Sequence, residues 1–159
     1  MGATNPVAAP FFDFSLPEPM GVVAVLAPAD SSLLGLVSVV APVVVTGNTC
    51  VVAASPGRPL PAVTLAEVLA TSDVPGGVVN VLTGPLADTA PTLASHMDVN
   101  AIDLTGAGDL ATSLERAAAD NLKRVRRAAA APEDWHAEPG LEPITWALET
   151  KTVWHPVGI

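Results

Sequence analysis

Side chains able to do chemistry are few and scattered in this chain of 159 residues. Cys50 is the single thiol. It opens a predicted interior strand, where a buried thiol is inert packing rather than a nucleophile. The three histidines, His96, His136 and His155, lie far apart and lack the spacing that gathers ligands around a metal. They are expected in solvated loops. Asp103 sits between Ile102 and Leu104 on a predicted strand, so it needs a partner if buried; the expectation is that it lies at the exposed end of the sheet. The chain has no Gly-Lys-Ser/Thr phosphate loop, no strand-end Gly-x-Gly-x-x-Gly fingerprint and no Gly-x-Ser-x-Gly elbow.

The elements that would position these residues are clearer. Glu18-Pro19-Met20-Gly21 leads into a predicted buried strand from Val22 to Ala27 and a loop over Pro28-Ala29-Asp30-Ser31-Ser32. An apolar helix from Leu33 to Val45, the turn Thr46-Gly47-Asn48-Thr49 and a strand from Cys50 to Ala54 follow. That is a βαβ unit, from which parallel sheets and dinucleotide sites are built. Pro61 sits where the next helix begins, its missing N–H costing nothing there. Asp73-Val74-Pro75-Gly76-Gly77 turns the chain into a third strand, Val78 to Thr83, followed by a short helix from about Asp88 to Ser95. A fourth strand covers Ala101 to Leu104, and Thr105-Gly106-Ala107-Gly108 opens a helix expected to reach about Ala130. This alternation predicts a parallel, doubly wound α/β sheet.

Three segments follow: an irregular Pro/Phe-rich arm over 1–18, the α/β domain over 19–130, and a linker and tail over 131–159. The tail's alternating stretch Glu149 to Trp154 reads as a strand that needs a sheet edge, in this chain or in a neighbour.

Composition narrows the classes. Half the residues are hydrophobic and 14% are charged, with three phenylalanines, three tryptophans and no tyrosine. Such Val- and Ala-rich elements suit a parallel sheet covered on both faces. A net charge of −9 is repelled by phosphate backbones, so no nucleic-acid partner is expected. The one basic cluster, Lys123-Arg124 with Arg126-Arg127, is expected to complement a helix C-terminus. The longest apolar helical run, Leu33 to Val45, is shorter than the roughly 20 residues that span a bilayer, so no membrane partner is expected. A single cysteine and the lack of an export-type leader point to the cytoplasm.

In order and at family spacing, the chain carries Pro19-x-Gly21-Val22-Val23, the Pro28 loop, Ala41-Pro42 leading to Gly47-Asn48-Thr49, and Pro75-Gly76-Gly77-Val78-Val79-Asn80-Val81-Leu82-Thr83-Gly84. Asp98-Val99, Thr105-Gly106 and Asn121-Leu122-Lys123-Arg124-Val125 continue the series. Residues 18 to about 125 thus resemble the first part of the cofactor-binding domain of the aldehyde dehydrogenase superfamily. The resemblance implies a Rossmann-like doubly wound sheet with a C-terminal extension strand, and NAD or NADP as cofactor. The positions it carries over as residual cofactor contacts are Pro28, Ser55, Thr105 and Gly106.

Several family positions are altered. The family's Trp-Asn after the proline, whose Asn stabilises the oxyanion, is Ala29-Asp30 here. An ionised carboxylate cannot donate that hydrogen bond, and Asp30 reads instead as an N-cap for the helix near Leu33. Lys-Pro-Ser-Glu, which grips the adenosine ribose, is Ala53-Ala54-Ser55-Pro56, and only Ser55 matches. Phe-Thr-Gly-Ser is Leu104-Thr105-Gly106-Ala107; a phosphate contact at a helix N-terminus and a purely structural turn both account for Thr105-Gly106. After Val125 the family's Leu-Glu-Leu-Gly-Gly and its later Gly-Gln-x-Cys segment have no counterpart, and without a thiolate the family's thiohemiacetal cannot form. The tail from Leu148 to Trp154 again resembles the family's oligomerisation strand. The expectation is a pseudoenzyme with an assembly or regulatory role, a homo-oligomer or a hetero-oligomer with a full-length aldehyde dehydrogenase. The alternative is the NAD(P)-binding fragment of a split or truncated enzyme.

Overall fold

Val22–Leu26 reads Val-Val-Ala-Val-Leu and is almost completely sealed from solvent, which makes it the middle of the molecule. The computed structural model describes residues 2–157; Met1, Gly158 and Ile159, the outermost residues of the expected arm and tail, lie outside it. Strands β1 (Ala3–Asn5), β2 (Phe11–Pro19) and β3 (Val22–Leu26) precede helix α1 (Leu34–Val45). Then come β4 (Thr49–Ala53), α2 (Leu60–Ala70), β5 (Val79–Leu82), α3 (Leu86–Ser95) and β6 (Ala101–Asp103). A 3-10 turn at Gly108–Leu110 leads to α4 (Ala111–Ala119), β7 (Arg124–Arg126), α5 (Glu142–Thr145) and β8 (Leu148–Pro156).

The main sheet has the order β5-β4-β3-β6-β7, with every neighbouring pair parallel. Because side chains alternate along a strand, β3 feeds two cores. Val23 and Val25 pack with Leu36, Val39, Val43 and Ala62 on the α1–α2 face. Ala24 and Leu26 pack with Leu93, Ile102, Leu104 and Leu114 on the α3–α4 face. The doubly wound α/β sheet expected from the alternation is therefore the observed one. No helix among the described residues is long and apolar enough to cross a membrane.

Two readings of the sequence need correction. The arm over 1–18 is not irregular. It forms β1 and β2, and with β8 they make a second, antiparallel sheet of order β1-β2-β8. The β2–β8 register is continuous from Phe11↔Pro156 to Pro19↔Leu148, so the tail finds its edge within this chain. Prolines at 10, 17 and 19 hid the strand in the sequence; Pro10 precedes it, and Pro17 and Pro19 lie past Ser15, where β1 no longer pairs and β2 is an edge that tolerates a missing ladder N–H.

The long helix expected to reach Ala130 is also wrong. It ends at Ala119, Leu122 adopts a left-handed φ of 58°, and the chain turns into β7. Strand β6 would otherwise leave a row of unpaired backbone groups. Arg124 N–H donates to Asn100 O (3.1 Å) and Leu104 N–H to Arg126 O (2.8 Å) across that edge. Tertiary pairing here overrides the helix preference of an Ala- and Arg-rich stretch. Of the basic cluster, Arg124 and Arg126 therefore lie on a strand, while Lys123 in the turn before it donates to His96 O (2.6 Å), the C-cap of α3, and so does meet a helix C-terminus.

One buried amide ties the two sheets together. Asn48 Oδ1 accepts from Gly21 N–H (2.8 Å), while its Nδ2 donates to Ala147 O (2.9 Å), Thr46 Oγ1 (2.9 Å) and Val43 O (3.3 Å). Gly21 and Ala147 flank the points where the chain passes between the sheets. Asn48→Ala leaves the Gly21 donor and the Ala147 acceptor unpaired, and is expected to cost about 3 kcal/mol and roughly 6–12 °C in Tm by calorimetry. Asn48→Asp keeps only the acceptor side, so it should be at least as damaging.

Candidate functional site

In a doubly wound sheet, ligands bind outside the carboxyl ends of the strands where the strand order reverses. Here that point lies between β3 and β6. Pro28, Ala29 and Asp30 follow β3, and Thr105, Gly106 and Gly108 follow β6; together they line a crevice of about 290 Å³. Three of the four residues carried over as cofactor contacts, Pro28, Thr105 and Gly106, thus come together. Ser55 does not: it is buried beyond β4 and is not among the lining residues.

The local chemistry under this crevice differs from expectation. Asp103, expected at an exposed sheet end, is fully buried. Its Oδ2 takes a hydrogen bond from Arg126 Nη1 (3.0 Å), the residue directly opposite on β7. Its Oδ1 accepts from Thr105 N–H (2.8 Å) and from the Thr105 hydroxyl (2.5 Å). Burial works against the Arg126 charge. The Asp103 charge and hydrogen bond, with Glu142 and Glu133 behind them, outweigh it and hold the guanidinium above its ordinary value.

These bonds decide what the Thr105-Gly106 turn can do. A hydroxyl has one proton to give, and that of Thr105 goes to Asp103, so it is not free to donate to a phosphate. Gly106 donates its N–H to Leu26 O (2.9 Å). A Cβ built at Gly106 would lie 2.0 Å from Ala27 O and 2.6 Å from Ala27 C. The missing side chain is therefore required by the packing of two protein backbones. Of the two readings of this turn, the structural one accounts for both residues.

Asp30 was expected to cap α1, but the structure gives that role to Ser31, whose Oγ accepts from Gly35 N–H (2.8 Å). Asp30 instead accepts from Trp135 Nε1 (3.3 Å). The remaining wall of the crevice comes from Ala128, Ala129, Ala131, Pro132, Glu133 and Trp135. Two lining residues, Asp30 and Glu133, are acidic, and none of the described lining residues is basic. Such a surface does not fit a dinucleotide pyrophosphate, which requires donors or positive charge.

Cys50 is sealed on β4, and burial pushes its thiol up to about 12. It lies in the α1–α2 core rather than among the crevice residues. His96 accepts from Asp98 N–H through Nδ1 (3.2 Å). His136 is exposed in the linker, whereas His155 lies on β8 rather than in a loop. Among the described residues no group of three or more His, Cys, Asp or Glu is gathered for a metal.

The residues that sequence reasoning missed are Arg124, Arg126 and Asn48. Arg124 Nη1 donates to Trp146 O (3.0 Å) and Leu148 O (2.6 Å), and its Nη2 to Glu149 Oε1 (3.0 Å). Arg126 Nη2 reaches Glu142 Oε2 (3.4 Å). The two β7 arginines thus hold the returning segment that leads into β8. The one signal for Arg126 was Asp103 itself, a strand carboxylate in want of a partner; reading β7 as helix hid the partner.

A parallel doubly wound sheet with a switch-point crevice and an added antiparallel sheet defines a class of dinucleotide-enzyme folds. Comparison with known proteins makes the assignment specific: the Aldehyde dehydrogenase family profile matches residues 1–129, and this chain belongs to that family. It is 34% identical over 125 residues to "Aldehyde dehydrogenase, cytosolic 1" of Elephantulus edwardii, a match covering 78% of this chain and 25% of that protein. A putative aldehyde dehydrogenase from Burkholderia cenocepacia superposes with a TM-score of 0.75 at 27% identity, over 79% of this chain and 27% of that one. A mutant of aldehyde dehydrogenase C from Pseudomonas syringae, complexed with NAD+ and octanal, gives 0.66 at 28% identity, over 72% and 24%. The chain thus spans about a quarter of the length of these relatives and represents part of the family fold.

Two measurements test this geometry. Gly106→Ala forces the β3 and β6 loops apart and should cost about 3 kcal/mol or more, read as a Tm drop of roughly 6 °C or greater. The Cys50 thiol should resist aromatic disulfide reagents in the native chain and react once the chain is unfolded. Its folded value lies above the unfolded 9.0, so unfolded chains lose the proton first and its contribution to stability falls as pH rises from 9 towards 12. The slope is about 1.4 kcal/mol per pH unit, and Cys50→Ala should remove it.

Proposed function

We propose that this chain is a non-catalytic aldehyde-dehydrogenase-like module whose role is assembly, pairing with itself or with a full-length member of the family. The observation that carries this reading is the β2–β8 ladder. Nine registered pairs join the beginning and end of the chain into a sheet that stands apart from the crevice. One face of that sheet presents Phe12, Phe14, Leu16 and Val153, with Phe12 45% exposed. The other carries Phe11 against Trp154 (ring centroids 5.9 Å apart), both exposed. The outer edge of β8 pairs with no strand among the described residues. An exposed edge beside apolar side chains is what another strand or sheet covers.

The chemistry of the crevice supports the same reading. This chain by itself brings no accessible thiolate to it, and Asp30 stands where the family's oxyanion donor is expected. With one cysteine, free and buried, we place the module in a reducing compartment such as the cytoplasm. A second reading, the NAD(P)-binding portion of a split or truncated aldehyde dehydrogenase, is favoured by one observation. Pro28, Thr105 and Gly106 do converge at the switch point.

Light scattering on the purified chain at micromolar concentration is expected to show a discrete oligomer. The double variant Phe12→Lys/Val153→Lys, placing charges on the apolar face, should shift it to monomer without lowering Tm by more than about 3 °C. A wild-type chain that is purely monomeric, and that captures no full-length aldehyde dehydrogenase when the two are mixed, overturns the proposal.

A further inference from the structure

Helix α1 carries no charged residue, and its outward side is apolar. Leu34, Val37, Ala41 and Val45 recur at helical spacing and are all exposed. Part of this face and residues from the 133–143 segment line a groove of about 440 Å³. Val37, Ala41 and Pro42 form its helical wall, and Trp135, Pro139 and Pro143 lie on the other. The rim is acidic. Glu133, Asp134, Glu138 and Glu142 line it, against a single basic residue, Arg126, which already serves Asp103 and Glu142. Among the described residues, Glu133, Asp134 and Glu138 have no cation within ion-pair reach. Pro42 adds an acceptor: it has no N–H to give to Ser38 O one turn back, and Ser38 also lines the groove.

We propose that this groove docks an amphipathic helix of another protein, one that sets lysines or arginines beside an apolar stripe. The helical wall offers burial to apolar anchors one turn apart, and the free carboxylates offer partners to the flanking cations. The 12 residues of α1 span about 18 Å, room for about three turns of a partner helix. Charge selects among the occupants. A second copy of this chain would bring its own net charge of −9 and the same carboxylates to the rim, and like charges across an interface repel. An anionic membrane surface is repelled for the same reason. A basic helix neutralises the rim, and its ammonium groups are the donors that the Ser38 carbonyl lacks. The family match ends at residue 129, so the acidic wall lies beyond it.

None of the groove residues belongs to β2 or β8, so the inference stands apart from the assembly role. Anisotropy titration of a labelled synthetic helix of leucine and lysine, about as long as α1, into the full chain tests it. The peptide is expected to bind, to gain helicity by circular dichroism and to dissociate as salt is raised. Glu133→Lys/Glu138→Lys should weaken binding about tenfold or more with Tm unchanged. Asp73→Lys/Asp98→Lys makes the same change in net charge at exposed positions outside the groove, and should stay within about twofold of wild type. Ala41→Lys places a cation on the helical wall; it should weaken binding comparably and serves if the first double variant does not fold. No binding by the wild-type chain overturns the proposal. So does equal binding of a leucine–glutamate helix, or an equal loss in both double variants, which marks attraction to net charge alone.

Discussion

The Asn48 amide is the constraint on which the two-sheet arrangement rests. A buried amide must have its donors and acceptor satisfied, and here they are met by β3's lead-in at Gly21, by the end of α1, and by Ala147 just before β8. Those three segments are distant in sequence and share no strand pairing with one another. Ala147, Met20 and Trp146, which flank β2 and β8, pack with the α1–α2 core, and the side chains of β7 add further attachment. Network bonds of this kind strengthen one another away from water, and leave a costly orphan when any member is removed.

The β7 arginines add a second point of attachment, at the margin of the parallel sheet. A parallel sheet exposes the last strand's side chains where further chain would pack. In this protein Arg126 covers the buried carboxylate of Asp103, and Arg124 takes up the carbonyls of Trp146 and Leu148. Asp103 is fully buried and Arg126 partly so, and removing the arginine would leave a buried carboxylate without its charged partner, which is far more damaging than never having had the pair. Asp103 also accepts from the Thr105 N–H and hydroxyl, so the contacts at this edge of the sheet engage the turn as well.

The two surfaces also differ in chemistry. The crevice is narrow, acidic and walled by the chain's own connecting segment, while the outlying sheet exposes Phe11, Phe12 and Trp154 among polar residues, has an open edge on β8 and carries a continuous β2–β8 ladder. The exposed Phe11 and Trp154 rings thus lie away from the switch-point crevice.

Much of this was legible in the residues. The Val-rich strands, the Pro and Gly punctuation and the βαβ spacing are local properties, so the order β3-α1-β4-α2-β5-α3-β6 and the burial of Cys50 could be read directly from the chain. The substitutions at Asp30, Ala53 and Pro56 are likewise facts of sequence. Only the tertiary structure decided the rest, because it depended on partners far away along the chain. An Ala- and Arg-rich stretch became β7 because β6 had an open edge. A proline-rich arm became β2 because β8 returned to pair with it, and Asp103 was buried because Arg126 stood opposite it. Trp135 became part of the crevice wall because the first turn of α1, with glycine at position 35, left room for its ring.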